Sequence, residues 1–202
     1  MGLNIWGKYK KEPAASWILP DKNLELFMGN DRGNKKKKNI ALLGLFAAVA
    51  IVLGYVESFI PMFAAIPGIK IGLANLAILS ALYIFGLKEA IAISLVRIVL
   101  IGFLFGNMTS IFYSLAGAFL SMLVMVLLKK LNRFSMIGVS IAGGVAHNLG
   151  QVLLAMVIVD TYSVIYYFPV LMISGIIAGV IIGVVGGIIT KRISAVYVKY
   201  RE

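Results

Sequence analysis

The 202-residue chain has no cysteine, which excludes disulfide frameworks, thiolate zinc sites and iron–sulfur clusters. Charge is scarce too: Asp, Glu, Lys and Arg make up 13% of the residues, where a soluble domain carries about a quarter. So few charges cannot cover the surface of a water-soluble fold of this size, and with 61% hydrophobic residues and a mean hydropathy of +0.99 the chain reads as an integral membrane protein. Acid is scarcest of all. The aspartates Asp21, Asp31 and Asp160 are too scattered to form the magnesium-holding cluster that prenyl-diphosphate chemistry uses to neutralise a leaving diphosphate. No G-x-x-x-x-G-K-[ST] segment occurs, so any ATP must be used by a partner. The single histidine, His147, has no acid at a comparable depth to orient it for nucleophilic catalysis and no second His or Cys with which to share a metal. The chain alone is therefore not expected to be an enzyme, and no catalytic residue, metal or cofactor is expected.

What charge there is has a pattern. Residues 1–39 hold nine of the 19 basic residues, Lys8, Lys10, Lys11, Lys22, Arg32 and Lys35 to Lys38, and four of the eight acids. They read as a polar, basic N-terminal tail. Its apolar stretches are too short for a signal peptide, and the MGLNIW start lacks the Ser or Thr of a myristoylation signal. Trp6 and Trp17 among lysines suit either an anionic headgroup surface or a plain cytoplasmic tail. The net charge of +11 would suggest nucleic acid in a soluble protein, but its placement here points to membrane orientation and to no nucleic-acid partner.

From Ile40 to Lys191 the chain is apolar with short breaks. Spans of about 20 residues cross a hydrocarbon core of about 30 Å, and the breaks count out six helices near 40–60, 71–86, 88–106, 109–129, 137–159 and 165–190. The runs are continuous rather than alternating, which excludes a β-barrel. The expected organisation is a tail over 1–39, a six-helix transmembrane domain over 40–192 and a short tail over 193–202. Lys35 to Lys38, Lys88, Lys129, Lys130, Arg133, Lys191, Arg192, Lys199 and Arg201 fall on one side, with only Lys70 on the other. Lys and Arg stay cytoplasmic, so both termini are expected in the cytoplasm of a multi-pass plasma-membrane protein.

Polar groups at depth carry the functional reading, because each costs about 2.5–3.5 kcal/mol even on the mildest scale. Arg97 lies nine residues beyond Lys88, hence about 13 Å in at 1.5 Å per residue, too deep for easy snorkelling. It is either an anion-binding group or a structural arginine held by carbonyls or Glu57. In SIAGGVAHNLGQ, a helical wheel puts Ser140, Gly143, Gly144, Gly150 and Gln151 within 60° of His147. Ile141, Val145, Leu149, Val152 and Met156 fall on the opposite arc and are expected to face lipid. His147 and Gln151, with Asn148 on the flank, suit a ligand site, while the small residues alone suit close packing. The first connection, ESFIPMFAAIPGIKIGLAN, adds Glu57, Lys70 and Asn75 around two prolines and Gly68, irregular backbone of the kind tolerated where it lines a cavity. Asn107 reads better as a helix cap than as a pocket residue. Gly175, Gly179 and Gly183, and the stripe Ser110, Ser114, Gly117 and Ser121, read as packing surfaces, and Gly44 with Ala48 as a shorter one.

These stretches carry a resemblance. ALLGLFAAVAIVLGYVESFIP, PGIKIGLAN, the mid-helix Arg97, FGN, YSLAGAFLS and HNLGQ together resemble the Gx transporter family, whose members often bear the name heptaprenyl diphosphate synthase component I. The resemblance covers about residues 38 to 190. That family is similar to the substrate-binding S components of energy-coupling factor transporters, six-helix proteins of prokaryotic membranes. The likeness implies an S-component-like bundle, a transmembrane coupling subunit docked on the first helix at Gly44 and Ala48, and two cytoplasmic ATPases.

The leading expectation is thus a membrane-embedded substrate-binding or transport subunit for a small anionic or carbonyl-rich ligand such as a vitamin, flavin or isoprenoid precursor. Its pocket would use Glu57, Lys70, Asn75, Arg97, His147, Asn148 and Gln151. The alternative is an accessory membrane subunit of heptaprenyl diphosphate synthase, or of a quinone or flavin redox system, without transport. No inverted repeat between the two halves supports a stand-alone carrier.

Overall fold

A computed structural model of the chain describes residues 34–59 and 72–199. Six α-helices follow one another: α1 (Asn34–Phe59), α2 (Leu73–Ile84), α3 (Leu87–Phe105), α4 (Met108–Lys130), α5 (Met136–Val159) and α6 (Phe168–Lys199), the last preceded by a 3₁₀ turn over Tyr162–Tyr167. No strand occurs among the described residues. All six expected helices are present, in the expected order. Four stretches are long and apolar enough to cross a membrane: Ile40–Glu57, Met108–Lys130, Met136–Val159 and Tyr162–Ile193. The chain is an all-α integral membrane protein.

The differences lie at the ends and have local causes. Helix α1 begins at Asn34 and α6 runs on to Lys199, beyond the expected 40 and 190. Both extensions carry lysine or arginine, good helix formers that let a helix continue once its apolar stretch has ended. Helix α2 is only 12 residues, about 18 Å long. It starts at Gly72, in the left-handed region at φ 74°, and stops before Gly86, at φ 111°. Few side chains tolerate either conformation, so the two glycines fix the ends of the helix. A helix apolar on every side belongs in a core, and residues Ala77 to Ile84 are all buried.

The core is built around this short helix. Leu79, Leu82 and Tyr83 of α2 meet Phe46 and Ala50 of α1, Ile93 of α3, Met122 and Met125 of α4, Met136 and Val139 of α5, and Ile182 of α6. Phe46 also meets Phe85 edge-on, ring centroids 5.3 Å apart at 88°, which locks α1 to the turn between α2 and α3. Around the bundle, α1 packs on α3, α3 on α4, α4 on α5 and α5 on α6, while α2 closes the ring between α6 and α1. Lys88, Lys129, Lys130, Arg133, Lys191 and Arg192 all belong to one end, called the basic end below.

Helix α5 is clasped on two sides. Toward α4, a methyl group on Gly150 would stand 2.6 Å from the Ala116 carbonyl oxygen, and one on Gly143 would meet Met125. Toward α6, one on Gly144 would stand 2.6 Å from the Gly175 carbonyl oxygen, and Gly179 and Gly183 lie against the backbone of Ile141 and Ile137. The glycine repeat of α6 is a packing surface, as expected, and so are Gly117 and Ser121 of the α4 stripe, whereas Ser110 belongs to the helix cap. The lipid-facing arc is corrected at two positions: Ile141 packs on α6 and Val152 is buried, while Val145, Leu149 and Met156 are half-buried. A helix between two neighbours has two interior faces, and a wheel drawn for one interior face misplaces the second.

Candidate functional site

The polar groups expected at depth fall on two walls. The first surrounds the N-terminal end of α2. A helix start leaves its first N–H groups without intrahelical acceptors and carries partial positive charge. Here Glu57, near the far end of α1, accepts a hydrogen bond of 2.5 Å from the Gly72 N–H. The Asn75 N–H returns to the Gly72 carbonyl at 2.8 Å, and its half-buried side chain lies beside Gly72. Gly54, one turn before Glu57, lets α1 sit against Ile101 of α3 and Ala74 of α2, so three helices converge at this point.

Arg97 stands one turn before Ile101 on α3. Its Nε is sealed from solvent and has no hydrogen-bond partner among the described residues. Glu57 is the acid whose charge acts on it, yet the Glu57 carboxylate hydrogen-bonds the head of α2 and not that Nε. The Arg97 Nε–H is therefore a sealed donor without a partner among the described residues, on a half-buried side chain that feels the charge of Glu57.

The second wall is α5. The His147 ring lies flat against Gly117 of α4, where no side chain stands in the way. Asn148 is buried and its Nδ2 donates 2.6 Å to the Leu171 carbonyl, which ties α5 to α6. That bond leaves its Oδ1 to act as an acceptor. Gln151 is buried one turn beyond His147. Glu57 and Asn75 are thus brought together at Gly72, and Arg97 is linked to Glu57 by charge, while His147, Asn148 and Gln151 stand on a separate helix; α3 and α5 do not form a packed pair and are joined through α4. Lys70 falls outside the described residues. Gly44 and Ala48 lie exposed on α1, with no neighbour near Gly44.

Two further positions have definite roles. Asn107 caps α4 through a capping box: its Oδ1 accepts from the Ser110 N–H at 2.7 Å, and Ser110 Oγ accepts from the Asn107 N–H at 3.1 Å. Lys129 reads from sequence only as a topogenic charge. In the fold its Nζ donates 2.7 Å to the Leu82 carbonyl and stands 4.8 Å over the Tyr83 ring. The sequence signal is its place in the last turn of a helix ending at the same side as α2, but nothing local separates it from Lys130. The short helix is therefore held at both poles, by a carboxylate at its start and an ammonium at its end, each complementing the helix dipole. Among the described residues no group of three or more His, Asp or Glu gathers as a metal site.

A family model described as heptaprenyl diphosphate synthase component I matches residues 46–189, from within α1 to within α6. No curated protein and no solved structure matches the chain.

Proposed function

Starting from the fact that the chain belongs to the heptaprenyl diphosphate synthase component I family, we propose that it is a membrane-embedded substrate-binding subunit serving transport of a small anionic or carbonyl-rich molecule, such as a vitamin, flavin or isoprenoid precursor. The observation that carries this reading is the Arg97 Nε, sealed from solvent without a hydrogen-bond partner among the described residues. A sealed guanidinium N–H with no acceptor is costly to keep unless something binds it. The ligand sits above α2, between the wall of Glu57, Asn75 and Arg97 and the wall of His147, Asn148 and Gln151. Arg97 and Lys70 supply charge, Asn75, Gln151 and the free oxygen of Asn148 supply amide hydrogen bonds, and Glu57 positions the cations.

Orientation and partners follow the same reading. The basic end lies in the cytoplasm of a prokaryotic cell, with both termini there. The chain has no phosphate-cradling motif, so energy comes from cytoplasmic ATPases through a transmembrane coupling subunit, which docks on α1 where Gly44 and Ala48 stand exposed. The test is native mass spectrometry of small molecules carried through purification, followed by binding of the identified molecule to wild type and to Arg97→Ala and Gln151→Ala. Each substitution is expected to weaken binding at least about tenfold, the scale of one lost charged or buried hydrogen bond. Unchanged affinity in both removes the site.

A second reading rests on the description of the matching family: an accessory membrane subunit that anchors a soluble prenyl-diphosphate synthase. Affinity purification separates the two. Retention of ATPases supports transport, and retention of a prenyl synthase supports anchoring.

A further inference from the structure

Basic residues at the end of a membrane span are accounted for by orientation alone; large apolar side chains exposed among them are not. The turn between α4 and α5, at the basic end, carries both. Lys130 and Arg133 are exposed, and so are Leu131, at 58%, and Phe134, at 45%. The turn stays close to the membrane. Helix α4 has 23 residues, about 34 Å at 1.5 Å per residue, little more than a hydrocarbon core of about 30 Å. The Leu131 N–H donates back to the Leu127 carbonyl, the Asn132 N–H to the Lys129 carbonyl, and the Ser135 hydroxyl caps α5 through the Gly138 N–H. Residues 131–135 are thus tied to both helix ends, at the boundary between acyl chains and headgroups. Phe134 turns toward the span, since a methyl group on Gly138, in the first turn of α5, would stand 3.8 Å from its Cδ1.

Charge at this place has one sign. Met136 lies against Gly186 of α6, so Lys191 and Arg192, about 8 Å further along α6, come to the level of Arg133. Lys129 is engaged inside the fold by the Leu82 carbonyl and the Tyr83 ring. Of the described acids, Glu57 and Asp160 belong to the other end, which leaves Glu89 on α3. We propose that the α4–α5 turn is a binding site for an anionic phospholipid, its phosphate held by Lys130 and Arg133 and the upper part of its acyl chains lying against Leu131 and Phe134. The planar guanidinium of Arg133 takes two phosphate oxygens, and Lys130 adds a point charge. A soluble phosphate would answer the cations and leave Leu131 and Phe134 in water. A zwitterionic lipid would cover the apolar pair but bring its own ammonium toward the same cations. An anionic lipid matches both halves of the turn. The inference stands apart from the substrate-binding reading and uses none of its residues.

The experiment offers the full chain, purified in detergent, an equimolar mixture of phosphatidylglycerol and phosphatidylcholine of the same chain length, and counts bound lipid by native mass spectrometry. Helix content and melting temperature are measured for every variant. Wild type is expected to retain phosphatidylglycerol in excess. Arg133→Gln and Lys130→Gln are each expected to lower that retention about fivefold, the scale of one basic group at an anionic surface. Phe134→Ser keeps every charge and is expected to lower it as well. Lys88→Gln removes a charge at the same end, beside Glu89, and is expected to leave retention unchanged. The proposal fails if wild type shows no preference, if Lys88→Gln loses as much as Arg133→Gln, or if Phe134→Ser loses nothing, because the charges then serve orientation alone. It fails too if glycerol 3-phosphate displaces the lipid at equal concentration, since the headgroup then binds without its chains. Release of a co-purified acidic protein by Arg133→Gln, with lipid retention unchanged, would assign the turn to a protein partner and overturn the proposal.

Discussion

Lys129 ends α4 with its ammonium on the Leu82 carbonyl and over the Tyr83 ring, so one side chain satisfies an orphan helix-end acceptor and a buried aromatic face. Replacing it by Met keeps the stem and removes both contacts. Lys129→Met is expected to cost about 1–2 kcal/mol, whereas Lys130→Met, exposed one residue on, is expected to stay within about 0.5 kcal/mol. Thermal melts of the purified variants read the difference, and equal melting temperatures would remove the role assigned to Lys129. The contrast with Asn107 shows what a sequence discloses about single residues. The Asn107 cap joins groups three residues apart and is readable, because its partners are fixed by the helix it starts. The Lys129 bond joins residues 47 apart in the chain, and its existence depends on where α2 ends in space. Arg97 falls between the two: its depth is countable along α3, but the acid whose charge reaches it, Glu57, comes from another helix.

At the scale of elements, glycine decides which helices can touch. A methyl group on Gly179 would stand 2.5 Å from Ile141 Cα, and one on Gly150 2.6 Å from the Ala116 carbonyl oxygen, so backbone would have to move in both cases. Gly150→Ala and Gly179→Ala are each expected to destabilise by about 1–3 kcal/mol. Gly44→Ala and Gly187→Ala meet nothing within 4 Å and are expected to be neutral or slightly stabilising, since alanine is the better helix former. Loss of helicity on mild heating measures all four, and a uniform response would contradict the two-sided packing of α5. Glycine spacing alone makes these seams legible in the sequence. The direction of each seam is not legible there, because a helical wheel carries no information on how many neighbours surround a helix.

For the molecule as a whole, the order of helices follows from counting apolar runs, and charge asymmetry singles out the basic end. What counting leaves open is that α2, although short in the sequence, is a core helix: composition alone does not distinguish a buried helix from a short lipid-facing one, and nothing local marks Gly72 as its start. The proposed orientation has a direct check, since the cysteine-free chain accepts single reporters. In intact cells, Arg133→Cys, between α4 and α5, is expected to resist a membrane-impermeant maleimide. Thr161→Cys, beyond the end of α5, is expected to react. The reverse pattern would invert the topology. A last consequence follows from the clasp on α5. Main chain meets main chain where α5 and α6 cross, and meets it again at α4, while α3 with α4 and α2 with α6 touch through side chains such as Ile111, Leu76 and Leu79. Backbone seams resist sliding more than side-chain seams do, so α4, α5 and α6 are expected to move as one unit, with Gln151 riding on it and Arg97 on α3 beside it. A solute gripped by both residues would brace α3 against that unit.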